Sequence, residues 1–251
     1  MKMSAAPFWL RPVAPARLAP SVVGAVALLY AAPAFAYTWP ADSAWVTVLQ
    51  GGAAIGDVTT DGSNNGREVV GDASSPAVYV YYDKVNHWFF VRLRLDDTPL
   101  QSAANLRPYG WGIVIDSDAN LGDYEYGVLV DGISEDISFL QNTVGTGAGD
   151  PSDTAEVVIS SEVTNYTSTG NVRVSTATST FGSTADYFLD IAISDTGLVA
   201  AGLDTAPLRI VAGTSGPVAV ARHWRHHRVG RWRDDRRRVR LHVPRRVLLP
   251  V

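Results

Sequence analysis

The chain has 251 residues, a formal net charge of −4 and no cysteine, which excludes disulfides, thiolate metal centres and a cysteine-linked lipid anchor. The near-neutral total conceals two opposed parts: residues 37–216 carry 23 acidic groups against seven Lys or Arg, a net of −16, and residues 217–251 carry 11 Arg against two Asp, a net of +9. An acidic body of about 180 residues is ample for one hydrophobic core, repels nucleic acid and anionic membranes, and suits divalent cations or neutral ligands.

The first element reads as an export signal. Positive charge at Lys2, Arg11 and Arg17 leads into the apolar run Ser21 to Ala32 and then Ala34-Phe35-Ala36, the small-x-small pattern of a signal peptidase site, so cleavage is expected after Ala36. A membrane anchor fits less well, because Pro20 and Pro33 interrupt the uncharged stretch and leave too little for a span of about 20 residues. The mature chain is therefore expected in the periplasm, on the outer surface or in the medium, with no transmembrane segment after cleavage.

From Trp45 to Ala212 the hydrophobic period is two, in runs rich in Val, Ile, Thr, Tyr, Phe and Trp bounded by Gly, Asp, Asn and Ser. This pattern predicts half-buried strands over 45–49, 76–82, 87–95, 111–116, 123–130, 135–141, 156–163, 171–179, 186–193 and 207–212. Ten short strands with turn signals between them define an all-β fold, an antiparallel β-sandwich of jelly-roll type. One short connecting helix is expected, with Ser194 or Asp195 as N-cap, then TGLVAA, then Gly202 as the stop. Strand phase assigns Phe89, Val91, Leu93 and Leu95 to the core and turns Trp88, Phe90, Arg92 and Arg94 to the other face. By the same alternation Tyr187, Leu189, Ile191 and Ile193 face inward. Residues 50–75 and 142–155 read as long loops.

The tail, residues 217–251, shares neither the period nor the vocabulary of the domain. It reads either as a basic arm for polyanions or as an out-of-frame translation of GC-rich DNA, in which CGN codons make Arg plentiful. The codons favour the second reading. His223-Trp224-Arg225-His226-His227, written CAC TGG CGN CAC CAC, becomes Thr-Gly-x-Thr-Thr one base on, which matches the style upstream.

Asp116, Asp118, Asn120, Asp123 and Glu125 crowd the connection between two predicted strands. Oxygens at alternate positions match the start of a calcium loop, since Ca²⁺ takes six to eight hard oxygen ligands. The match departs from an EF-hand in having Leu121 where the Gly belongs and no Glu at the twelfth position. The competing reading is a solvated hairpin loop whose Asp and Asn cap their own backbone. A second oxygen-rich stretch, Asp57 to Asp72, fits no metal spacing and reads as a polar loop.

The other candidate site is aromatic. Trp88 with Arg92 and Arg94 on the face away from the core, near Tyr79 and Tyr81 or their alternates Val80 and Tyr82, suits a sugar, whose apolar faces stack on rings while its hydroxyls bond to polar forks. Trp111 with Tyr109, and Tyr124 with Tyr126, offer similar stripes. The alternative is that these rings pack beneath a loop or edge strand, with Arg over Trp as an ordinary cation–π contact.

Arithmetic sets several enzyme classes aside. The domain has a single His, His87, on which any Ser-His-Asp triad would have to be built, and no G-x-S-x-G elbow accompanies it. A His/Cys zinc site cannot be assembled, and GTGAG at 145–149 follows no strand-to-helix unit that would cradle a nucleotide phosphate. Paired carboxylates for glycoside hydrolysis stay open, with none singled out. Asn165-Tyr166-Thr167 is a glycosylation sequon where the host uses that pathway.

REVVGD at 67–72, the hairpin VYVYYDKVNHWFFVRLRLD, then WGIVIDSDANLGDYEYGVLVDG and DYFLDIAISDTGLVAAGLDTAPLRIVAGTSG together resemble exported bacterial β-sandwich modules of the family 9 carbohydrate-binding and DOMON-like group, over about residues 55–216. The resemblance implies a jelly-roll sandwich. Some members bind sugars between aromatic side chains with structural calcium nearby; others hold haem b through Met and His. The haem branch is not expected here, because Met1 and Met3 both lie in the predicted signal. On the sugar branch, stacking maps to Trp88 or Trp111 and calcium to Asp116–Glu125. The expectation is a secreted, non-catalytic module for a cell-surface or extracellular glycan, with calcium as the one cofactor and no haem, zinc or nucleotide. Its rivals are a structural envelope or adhesion protein of the same fold and, behind that, a carboxylate-dependent glycoside hydrolase.

Overall fold

The structure is a computed structural model that describes residues 37–50, 52–57, 65–118, 120, 123–143, 157–167 and 170–215. The predicted signal, the Arg-rich tail, GTGAG and most of the 57–64 stretch lie outside the described residues. The strands are β1 (Val46–Thr47), β2 (Leu49–Gln50), β3 (Ala53–Ala54), β4 (Val78–Asp83), β5 (Trp88–Leu95), β6 (Leu100–Ser102), β7 (Asn105–Leu106), β8 (Gly110–Asp116), β9 (Tyr126–Asp131), β10 (Asp136–Gln141), β11 (Val157–Val163), β12 (Val172–Thr176), β13 (Tyr187–Ser194) and β14 (Arg209–Ser215); α1 covers Thr196–Ala200. Two five-stranded sheets result, in the orders β1-β4-β5-β13-β12 and β11-β10-β9-β8-β14, with two small ribbons, β2-β3 and β6-β7. Every named pairing is antiparallel. Among the described residues no helix is long and apolar enough to cross a membrane.

The sandwich follows from matched alternation. In the first sheet Val80 lies opposite Val91, which lies opposite Ile191; in the second, Ile113 is flanked by Val128 and Ala212, and Val128 by Phe139. Because side chains alternate, these rows all turn to one side and meet in a single buried cluster that draws on both sheets. Fully burying each Val, Leu, Ile or Phe in it stabilises the fold by roughly 1.5–3 kcal/mol. A slip of one residue would carry the whole row outward, so register is strongly specified.

Three expectations are refined. The 45–49 strand is divided into β1 and β2, and β3, β6 and β7 were not foreseen, because pieces of two or three residues show no period. The strand expected at 123 begins at Tyr126, since Glu125 turns back to cap Ser117. The short helix forms with Gly202 at φ +70° ending it, a left-handed conformation that costs glycine least. Its N-cap residue Asp195 makes no capping bond. The Asp195 carboxylate instead accepts Tyr82 Oη–H at 2.8 Å and stands 3.2 Å from His87 Nδ1.

The largest departure is on the outer side of the first sheet. All eight residues of β5 are buried, not only the inward set. Tyr37, Trp39 and Trp45 lie across Trp88, Phe90 and Ala192, with Tyr79 and Tyr81 at the margin, to form a second apolar cluster outside the sandwich. The segment entering β1 therefore acts as a strap over the sheet.

Candidate metal loop and aromatic face

The acidic loop is assembled by the β8–β9 connection. Asp116 ends β8 and is buried; the chain then turns so that Asp116, the exposed Asp118 and the half-buried Glu125 bring a carboxylate oxygen each to within 4.8 Å of one another. Asn120 is exposed and is not among these three. Asp123 also stands apart from them, with Oδ1 buried and lacking a hydrogen-bond partner. Ala119, Leu121 and Gly122 lie outside the described residues.

Much of the loop's oxygen is already used. Glu125 Oε2 accepts the backbone N–H of Ser117 at 2.7 Å and its hydroxyl at 2.9 Å, and Asp118 Oδ1 accepts the N–H of Asn120 at 2.7 Å. These are the self-capping bonds that Asp and Glu make in turns. Asp116 faces Arg209 across the β8–β14 pair and forms an ion pair with it. Three carboxylates against one guanidinium leave two formal negative charges, the complement of a divalent cation with oxygen ligands.

The aromatic candidates are placed very differently from the expectation of an open stacking face. Trp111 is wholly buried between the sheets, and its Nε1–H donates to the Gly66 carbonyl at 3.2 Å. It presents no ring to a ligand, and its phase explains why: Trp111 alternates in step with Ile113 and Ile115. Trp88 is also buried, beneath Tyr37, whose ring centroid is 4.2 Å away.

Arg92 and Arg94 are buried and bonded rather than extended to solvent. Arg92 on β5 and Arg173 on β12 are the cross-strand neighbours of Asp190 on β13, so a single carboxylate with no solvent exposure serves two guanidiniums. Arg92 donates to Asp190 through Nε at 2.7 Å and Nη2 at 3.0 Å; Arg173 donates through Nε at 2.8 Å and Nη2 at 2.6 Å. The Arg92 guanidinium also lies 4.4 Å from the ring centres of both Trp45 and Phe188. Burial draws its pKa down, but the hydrogen bonds and charges of Asp190, with a smaller part from Asp42, outweigh that and leave it above the usual value. Arg94 donates to the Pro76 carbonyl at 3.1 Å, to Tyr79 Oη at 3.2 Å and to Ser179 Oγ.

Two features of this face were not foreseen. The strap rings of Tyr37 and Trp39 had no periodic pattern to flag them, and Arg173 stacks on Trp39 at 4.7 Å. The indole N–H groups of Trp45 and Trp88 are both buried with no acceptor, an uncommon condition for a donor. His87, with an exposed side chain and φ +62°, is partnered by Asp195. No family model, curated protein or solved structure matches the chain, so its functional reading rests on these residues alone.

Proposed function

We propose that the chain is an exported, non-catalytic β-sandwich binding module that holds a divalent cation, calcium, in its β8–β9 loop and takes a glycan on the outer aromatic face of the β5 sheet. The observation that carries the cation is the convergence of Asp116, Asp118 and Glu125 within 4.8 Å around a net charge of −2, with hard oxygen as the only donor type. The glycan reading draws on the unpartnered N–H groups of Trp45 and Trp88, which hydroxyl oxygens would satisfy, beside the half-buried rings of Trp39, Tyr79 and Tyr81. Arg92 and Arg94 then act beneath that surface, as the rigid support of the rings.

Calcium at ten to a hundred times its dissociation constant is expected to stabilise the protein by about 1.4–2.7 kcal/mol, seen as a higher Tm, and Asp118→Ala should remove the part due to this loop. A Tm unmoved by millimolar calcium would end the cation assignment. For the glycan, array binding that is lost in Trp39→Ala supports the reading, and an array without a hit in the presence of calcium refutes it. A second reading, a structural envelope or adhesion protein without a small ligand, is favoured by the burial of Trp88, Arg92, Arg94 and Trp111; the same array decides between the two.

A further inference from the structure

A different pair of carboxylates lies far from the acidic loop in sequence and is buried more deeply. Asp96 directly follows β5 and Asp186 directly precedes β13; their relative exposures are 2% and 0%. Each has one oxygen, Asp96 Oδ1 and Asp186 Oδ2, that is buried with no hydrogen-bond partner. Leaving even one such acceptor unmet costs about 1–3 kcal/mol, more when it is charged.

The two carboxylates bond to adjacent residues of the loop 177–186, one amide each. Asp186 Oδ1 accepts the N–H of Phe181 at 3.1 Å, and Asp96 accepts the N–H of Gly182. A Cβ at Gly182 would fall 2.5 Å from Asp96 Oδ1 and 2.7 Å from its Oδ2, so only glycine lets the backbone come this close. No described Lys or Arg forms an ion pair with either acid. Burial holds the Asp96 carboxyl above the usual carboxylate range; the Gly182 amide pulls it down, and Asp186 and Asp97 push it up again. The surroundings otherwise offer oxygen: Thr184 Oγ1 sits 2.9 Å from the Asp96 carbonyl. Thr178, Thr180 and residues 182–185 are exposed, so water and small ions reach the loop.

We propose that Asp96 and Asp186 form a second hard-cation site, a structural calcium site that clamps the loop 177–186 to the end of β5. The two orphaned oxygens supply the anionic ligands, and hydroxyls, backbone carbonyls of the loop and water complete an oxygen shell of the kind calcium takes. A proton shared by the pair would cancel one charge and leave the other buried; a divalent ion answers both. This site does not depend on the β8–β9 loop or on a glycan.

The test uses the full chain, freed of metal by chelation, in an Asp118→Ala background that removes the first loop's contribution. Calorimetric titration with calcium alone should show one remaining site, and Asp96→Asn with Asp186→Asn should lower its affinity about tenfold or more while raising the Tm of the metal-free protein, because the amides remove the buried like charges. If the double variant does not fold, Gly182→Ala, whose methyl group intrudes on the carboxylate, should weaken calcium by a similar factor. The proposal is overturned if the Asp118→Ala protein binds no calcium, if affinity survives the Asn or Ala changes, or if acidification alone reproduces the whole stabilisation without calcium. A calcium-induced Tm rise that Asp118→Ala leaves undiminished would instead count against the first loop, so the two sites fail separately.

Discussion

Asp190→Ala is the perturbation from which the architecture predicts the largest single loss. Asp190 is fully buried and receives four N–H donations from Arg92 and Arg173. Arg173 has a side chain 36% exposed and can turn to water, whereas the Arg92 side chain is 7% exposed and pinned between Trp45 and Phe188. Removing the carboxylate strands the Arg92 charge, and breaking a buried pair by deleting one partner costs about 3–5 kcal/mol. Asp42 cannot substitute, because its side chain is 91% exposed and such pairs contribute roughly 0–1 kcal/mol. At about 2–4 °C per kcal/mol for a domain of this size, the Tm should fall by roughly 6–20 °C. Thermal and urea unfolding of the full chain, followed by circular dichroism, measure it. The control is Arg92→Met with Asp190→Leu, which removes both charges from the dry layer and should recover most of the loss. A single variant that costs under about 1 kcal/mol, or a double variant whose loss is the sum of the two single ones, would refute the claim that desolvated charge governs this face.

Alkaline pH should unfold the protein by a defined route. Burial raises the Tyr82 and Tyr166 hydroxyls well above the ordinary tyrosine value, and the hydrogen bonds to Asp195 and Glu135 add to the rise. A raised folded-state pKa gives stability that is complete below the unfolded value of about 10 and lost as pH climbs from there toward the folded one. Tm should thus decline above about pH 10, and less steeply in Tyr82→Phe and Tyr166→Phe; an identical slope in the variants would contradict the assignment. Trp111→Ala should cost about 3–5 kcal/mol as a core cavity and leave glycan binding unchanged in whatever fraction stays folded; a selective loss of binding at full stability would return Trp111 to the ligand site.

The sandwich was legible because its long strands alternate cleanly: the inward sets of β5 and β13 are the ones read from the period. Trp111, assigned to a stacking stripe, is buried instead; its shared phase with Ile113 and Ile115 was the signal that stripe overlooked. The carboxylates of the β8–β9 loop were visible as a local run, and of the four named acids Asp116, Asp118 and Glu125 converge while Asp123 is not among them. The outer layer over β5 was hidden for two physical reasons. Residues 37–45 cover the sheet without any period of their own, and Arg92, Asp190 and Arg173 become neighbours only because β13 inserts between β5 and β12, a non-local fact. Asp96 and Asp186 escaped for a similar reason: each stands one residue outside a strand, and only the loop between β12 and β13 brings them to adjacent backbone amides.

The strap of Tyr37, Trp39 and Trp45 makes the β5 sheet an interior layer, covered thickly on one side and thinly on the other. The thin cover is held chiefly by the rings of Tyr37, Trp39 and Trp45, so it is the natural unit for sub-global opening. Amides of residues 37–45 should exchange with deuterium well before those of β5 beneath them. Each such opening would wet Arg92 and the two indoles together, giving this face a closed dry state and an open wet one without disturbing the sandwich.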